Sequence, residues 1–201
     1  AKTSAGGFTI DYSCRFDGAS NYLTKTFAGA GNRKTMTWSF WVKFSSDGMG
    51  SEPASFFWGD DQNGYPSHRI SMYSGQMRCY SQDDTGLTNK IDIQSSSNRF
   101  RDYSGWYHFV FVVDTTQAVA ANRIKVWVNG VNETTGYGWT QTTCDQNVDT
   151  NHNAAVEAEI IGKFHTGSYL HGCLAEYHFI DGTAYDADDF GEFGDYGEWK
   201  P

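Results

Sequence analysis

The chain is short of proline and its basic residues are outnumbered by acids: 3 Pro, and 15 Lys+Arg against 24 Asp+Glu in 201 residues. With so little proline, no Pro-rich linker divides the chain, and about 200 residues suit a single domain. The net charge of −9 and a pI near 5.0 argue against a phosphate-backbone binder, which carries a basic footprint. No apolar run reaches the ~18 residues of a membrane span, and no charged start with an apolar core marks a signal peptide. Charged residues are only 19% and aromatics a high 16%, the reverse of a disordered composition. A chain of this size buries roughly 70% of its unfolded surface, enough for a core without metal or disulfide help.

Helical periodicity is also missing. Nothing sustains apolar residues at i, i+3, i+4, i+7, and only Asp186-Ala187-Asp188-Asp189-Phe190 offers a capped turn. What dominates is a period of two. In Met36–Phe44 one face carries Met36, Trp38, Phe40, Val42 and Phe44, and the other Thr37, Ser39, Trp41 and Lys43. Trp106–Val113 is apolar on both faces and predicts a central strand covered on both sides or lining a concave face. Arg123–Val128 alternates again into Asn129-Gly130, a strong hairpin signal. Further strands are expected at 8–16, 21–26, 55–58, 68–73, 76–80, 90–94, 157–162 and 173–180, with polar loops at 45–54, 60–67 and 135–153. Roughly ten short strands with Gly/Asn/Ser/Asp turns predict an all-β, two-sheet antiparallel sandwich or jelly roll. Residues 1–201 form one domain in this reading, with 1–9 as an N-terminal arm and 183–201 as an acidic, solvated tail.

Four stretches carry a resemblance. They are Cys14-Arg15-Phe16-Asp17-Gly18-Ala19-Ser20-Asn21-Tyr22-Leu23, Trp38-Ser39-Phe40-Trp41-Val42-Lys43, Gly105–Val110 with Ile124–Gly130, and Gly172–Gly182. Together they resemble the laminin-G-like, concanavalin A-like lectin jelly rolls over nearly the whole chain. The continuation Asp188–Phe193 is similar to a version found in virion proteins of marine bacteriophages. The fold implied is a concanavalin A-like jelly roll. One such sandwich hosts many functions, so activity must be argued from sites.

In such domains the first and last strands lie close, so the resemblance makes a Cys14–Cys173 bridge geometrically reasonable and would leave Cys79 with Cys144. Four cysteines allow three pairings, and four buried free thiols are the alternative.

Hydrolytic relatives of the fold place paired carboxylates on one strand face. Only Glu157-Ala158-Glu159 approaches that spacing, without a third acid, and these two glutamates are expected on the wet side of a strand. There is no Gly-x-Ser-x-Gly elbow, and the histidines stand at no metal-like spacing; His108 reads as a satisfied core histidine. Calcium is a fairer candidate cofactor, with Asp60, Asp61, Asp145 and Asp149 as loop oxygens, although Asp is also a good turn former. Asn132-Glu133-Thr134 is a glycosylation sequon that matters only in a glycosylating host. For sugar binding, two aromatic–polar loop clusters are the candidates: Trp58, Asp60, Asn63 and Tyr65, and Tyr137 with Trp139. Loop aromatics also serve as anchors and interface residues.

The expectation is a non-catalytic module of a virion surface, on a capsid, head fibre or tail. Its partners would be copies of itself, a viral coat or tail protein, or cell-surface glycans, without nucleic acid or membrane insertion. A free extracellular lectin is the first alternative and a glycan hydrolase the second.

Overall fold

The structure is a computed structural model that describes residues 9–45, 54–60, 66–73, 75–82, 88–97, 99–134, 138–154, 158–164 and 167–201, with Asp60, Pro66 and Ser67 described in backbone only. Its strands form two large antiparallel sheets. In the first, the spatial order is β1 (Cys14–Asp17), β15 (His171–Asp181), β3 (Thr35–Phe44), β8 (Tyr107–Asp114), β9 (Ile124–Val128), β10 (Val131–Asn132). The second runs β11 (Trp139–Cys144), β7 (Asn89–Ser95), β6 (Gln76–Gln82), β5 (Pro66–Tyr73), β4 (Ala54–Asp60), β12 (Ala158–Ile161), β2 (Leu23–Thr26). Two small hairpins complete it: β13 (Lys163–Phe164) with β14 (Ser168–Tyr169), and β16 (Glu192–Phe193) with β17 (Trp199–Lys200). This is the expected all-β jelly roll. Among the described residues no helix is long and apolar enough to cross a membrane.

The period-two pattern of β3 is what builds the core. Met36, Trp38, Phe40, Val42 and Phe44 point between the sheets and are buried. Phe40 stacks on Phe56 of β4 at 4.9 Å, and Trp38 meets Phe57 edge-on at 5.3 Å, so the facing sheets interdigitate through rings. Each such side chain, fully buried, stabilises the fold by about 1.5–3 kcal/mol.

The strand predicted to be covered on both faces is β8. Phe109 and Phe111 face the core, while Val110 and Val112 face outward and are equally buried. What covers them is the C-terminal segment: Ala187, Phe190 and Trp199 pack on Val110, Val112 and Trp127. The acids of the tail are exposed as expected, and the correction is that its apolar residues Ala187, Phe190 and Trp199 close a second small core. Asp186 caps the 3₁₀ turn Ala187–Asp189 in a reciprocal capping box, as its sequence position predicts. Asn129 and Gly130, with φ of 47° and 76°, form the expected tight hairpin turn between β9 and β10.

The loop predicted at 135–153 contains a strand instead. Trp139–Cys144 adds to the edge of the second sheet beside β7. Trp139 turns inward onto Phe111 and Phe100, so its ring supplies core area that a loop position would waste.

The disulfide expectation is also corrected. β1 does neighbour β15, but Cys14 pairs with Leu174 and Cys173 with Arg15. A one-residue offset puts the two thiols on opposite faces of the sheet. Cys79 on β6 and Cys144 on β11 are separated by β7, two strand spacings or roughly 9–10 Å, beyond the ~7 Å limit of a disulfide. All four cysteines are free. Burial pushes the Cys144 thiol up to about 12 and raises that of Cys79 further, so neither is a reactive thiolate.

Candidate functional site

The sequence-predicted sugar clusters separate in space. Asn63, Tyr65 and Tyr137 lie outside the described residues, as do Asp61 and Glu157. Trp139 is 7% exposed, and its Nε1–H donates to Glu133 Oε2 at 2.9 Å, while Arg99 holds the same carboxylate at 2.6 Å. That makes Trp139 a core anchor and withdraws it as a sugar platform. Trp58 is 5% exposed on β4, packed against Phe164 on the outer face of the second sheet.

Glu159 is corrected too. It lies between the sheets, 5% exposed, with its carboxylate 2.9 and 3.0 Å from His68 Nε2. An acid sealed in the sandwich and bonded to a buried histidine cannot reach a glycosidic bond. Of the calcium candidates, Asp149 faces Lys34 Nζ at 3.9 Å and Asp145 is exposed just after β11. Among the described residues no three His, Cys, Asp or Glu side chains converge on a point where a metal ion could sit.

The structure brings together a different set of aromatics. A cleft of about 310 Å³ opens on the outer face of the first sheet, lined by Asp11, Tyr12, Ser13, Trp41, Trp106 and Ala175, among others. Trp41 is the floor. It belongs to the polar face of β3, and its ring stacks on His108 at 4.8 Å. His108 is fixed in turn, because Trp199 Nε1–H donates to its Nδ1 at 2.9 Å. With Nδ1 accepting, the ring proton sits on Nε2 and is donated to Ser39 Oγ at 2.9 Å. Burial holds His108 neutral, with its pKa depressed to about 4 and His178 adding to the effect.

The walls are open. Trp106, just before β8, is 39% exposed and Tyr12 is 89% exposed. The floor is therefore rigid and the walls presentable to a ligand. A pocket near 300 Å³, mostly apolar and with three aromatic rings, a carboxylate and a hydroxyl in its lining, has the composition of a small-molecule site.

A second cleft of about 220 Å³ adjoins it, sharing Tyr12, Ser13 and Ala175, and enters between the sheets beside Cys14, Phe16 and Leu23. At their junction β15 carries a bulge between Ala175 and His178. Glu176 within it adopts φ 44°, a left-handed conformation costly for glutamate, and its carboxylate meets His178 Nε2 at 3.3 Å. Bulges of this kind re-aim side chains beside sites.

Sequence reasoning missed Trp41, Trp106 and Tyr12. One signal was present: in the wet series Thr37-Ser39-Trp41-Lys43, Trp41 alone is a large ring.

Residues 17–188 match the family model of the concanavalin A-like lectin/glucanases superfamily, in its laminin-G version. No curated protein matches the chain. Among solved structures, the mouse laminin α1 chain, domains LG4-5, superposes with a TM-score of 0.58 at 12% identity, covering 85% of this chain and 41% of that one. The botulinum neurotoxin serotype D ligand-binding domain, in complex with N-acetylneuraminic acid, gives 0.60 at 10% identity over 91% and 42%. The Ruminococcus gnavus IT-sialidase CBM40, bound to α2,3 sialyllactose, gives 0.56 at 11% identity over 90% and 97%. The chain thus spans under half of the first two structures and nearly all of the third, and at these identities the likeness concerns the fold. By its match over residues 17–188, the chain belongs to the concanavalin A-like lectin/glucanase superfamily.

Proposed function

We propose that this chain is a non-catalytic glycan-binding module acting at an exposed surface, with the Tyr12–Trp41–Trp106 cleft as its sugar site. The observation that carries the reading is the make-up of that cleft: three aromatic rings around about 310 Å³, with Asp11 and Ser13 at the rim. Ring faces accept the C–H face of a sugar, and rim oxygens accept its hydroxyls. Support comes from the superfamily and from the sugar complexes of the toxin domain and CBM40. Glu159, enclosed with His68, speaks against hydrolysis by the one acid pair the sequence offered. A glycan array with the purified chain tests binding, and reducing-sugar release tests for turnover. The reading expects array signal without release.

Within this reading residues 1–201 are one module. The likeness of Asp188–Phe193 to marine bacteriophage virion proteins favours display on a capsid, head fibre or tail, held by further copies or by a coat or tail protein. Mass spectrometry of purified particles distinguishes this from a free extracellular lectin. The same array run with EDTA reads out the calcium candidates Asp60, Asp61, Asp145 and Asp149.

A further inference from the structure

Among the described residues, the outer face of the second sheet carries an arginine, Arg69, that forms no ion pair. Trp58, Arg69, Tyr80 and Asp92 are successive cross-strand partners on β4, β5, β6 and β7, so their side chains form one row across the sheet. At one end of the row Asp92 is satisfied. Arg78 donates to both of its oxygens, Nε at 2.8 Å and Nη2 at 2.7 Å, and Asn89 Nδ2 donates at 3.0 Å.

Arg69 has no such partner. Its guanidinium lies 4.7 Å from the Tyr80 ring centre and 4.8 Å from that of Phe164, and among the described residues it forms no ion pair. Its Nε–H is buried without an acceptor, and so is the Nε1–H of Trp58, its partner in register. Both groups lie against the same Phe164 ring. Cation–π contacts compensate a partly buried guanidinium only in part, and each orphaned donor adds a desolvation cost. Burial lowers the pKa of Arg69 from the ordinary arginine value, which reports the same strain on the charge. Arg78 shows what an arginine on this face does when a carboxylate is within reach.

We propose that Arg69 and Trp58 form an anion subsite that receives the carboxylate of an acidic sugar, the planar guanidinium gripping it and the indole N–H supplying a further donor. A carboxylate fits because it accepts two parallel N–H bonds from one guanidinium. The choice of a sugar as its carrier rests on the glycan-binding reading. The subsite itself rests on the orphaned donors and lies on a different sheet from the Trp41 cleft.

The experiment follows the indole N–H resonances of the intact chain, with that of Trp58 assigned by Trp58→Phe. Ligands are 3′-sialyllactose, glucuronic acid, galacturonic acid, lactose and acetate, with wild type beside Arg69→Met and Arg69→Lys. At least one acidic sugar is expected to shift the Trp58 signal. Its affinity should fall about tenfold or more in both variants, because Lys keeps the charge but loses the fork. Lactose should leave Trp58 unmoved. Without ligand, Arg69→Met is expected to raise Tm, since it removes a partly buried charge that cation–π contacts alone hold in place of an ion pair. The proposal is overturned if no acidic sugar moves Trp58, or if acetate moves it as strongly at equal concentration. It is equally overturned if Arg69→Met lowers Tm, as for a cation that serves packing alone. Lactose binding that persists in Arg69→Met and is lost in Trp106→Ala sustains the Trp41 cleft whatever happens at Arg69, so the two readings fail separately.

Discussion

Trp199 Nε1–H donates to His108 Nδ1 at 2.9 Å, tying the C-terminal hairpin to the middle of the first sheet. The two rings lie nearly parallel, with centroids 5.9 Å apart, and the imidazole also stacks on Trp41. One neutral histidine thus links the tail to the floor of the candidate sugar cleft, and the arrangement works only while its Nδ1 can accept.

Stability should therefore fall on acidification. The unfolded chain protonates His108 near 6.5, whereas the fold resists protonation until about 4. A depressed pKa means the unfolded state binds more protons in that interval, so the contribution is complete above about 6.5 and lost as pH falls toward 4. The size is on the order of 2–3 kcal/mol for His108. His152, sealed between the sheets and depressed by burial and by His68, adds in the same direction. Urea unfolding at pH 7, 6, 5 and 4 checks this, and a flat profile between 6.5 and 4 would refute it.

Gly130→Ala should loosen the tail. The position has φ 76°, and a Cβ there would stand 2.1 Å from the Trp199 ring. Backbone strain of about 1–2 kcal/mol is joined by displacement of Trp199. The expected readout is a lower Tm with a red-shifted tryptophan emission. Trp199→Phe should keep much of the packing yet cost about 1–3 kcal/mol by leaving His108 Nδ1 unsatisfied.

Thiol chemistry should report four free cysteines. Ellman titration of the denatured, unreduced chain is expected to count all four, with exposed Cys14 reacting first in the native state. A count of two or fewer would contradict either the strand register of β1 on β15 or the separation of Cys79 from Cys144 by β7.

Residues that answer to their own neighbours in sequence were legible: the alternation of β3, the Asn129-Gly130 turn, the Asp186 cap. Those whose environment is set across the fold were not. Glu159 looked wet because its partner, His68, is 91 residues away. Trp139 sits in a Gly/Thr-rich stretch that reads as loop, yet the open edge of β7 drew it into a strand and the core took its ring. Cys14 and Cys173 are neighbours by topology and strangers by register, a one-residue distinction that motif spacing does not carry. The candidate cleft combines Tyr12, Trp41 and Trp106 from three separate segments, and only the lone ring on the wet face of β3 hinted at it.

The central claim is that exposed rings of this cleft hold a sugar. Its most direct measurement is a glycan array run side by side on wild type, Tyr12→Ala and Trp106→Ala. Tyr12 is 89% exposed and Trp106 39% exposed, and neither belongs to the buried core, so the variants should keep the wild-type stability within about 1–2 kcal/mol. The account predicts that wild type binds a defined set of glycans and that both variants lose at least about tenfold of that affinity. Undiminished binding by two well-folded variants would contradict it.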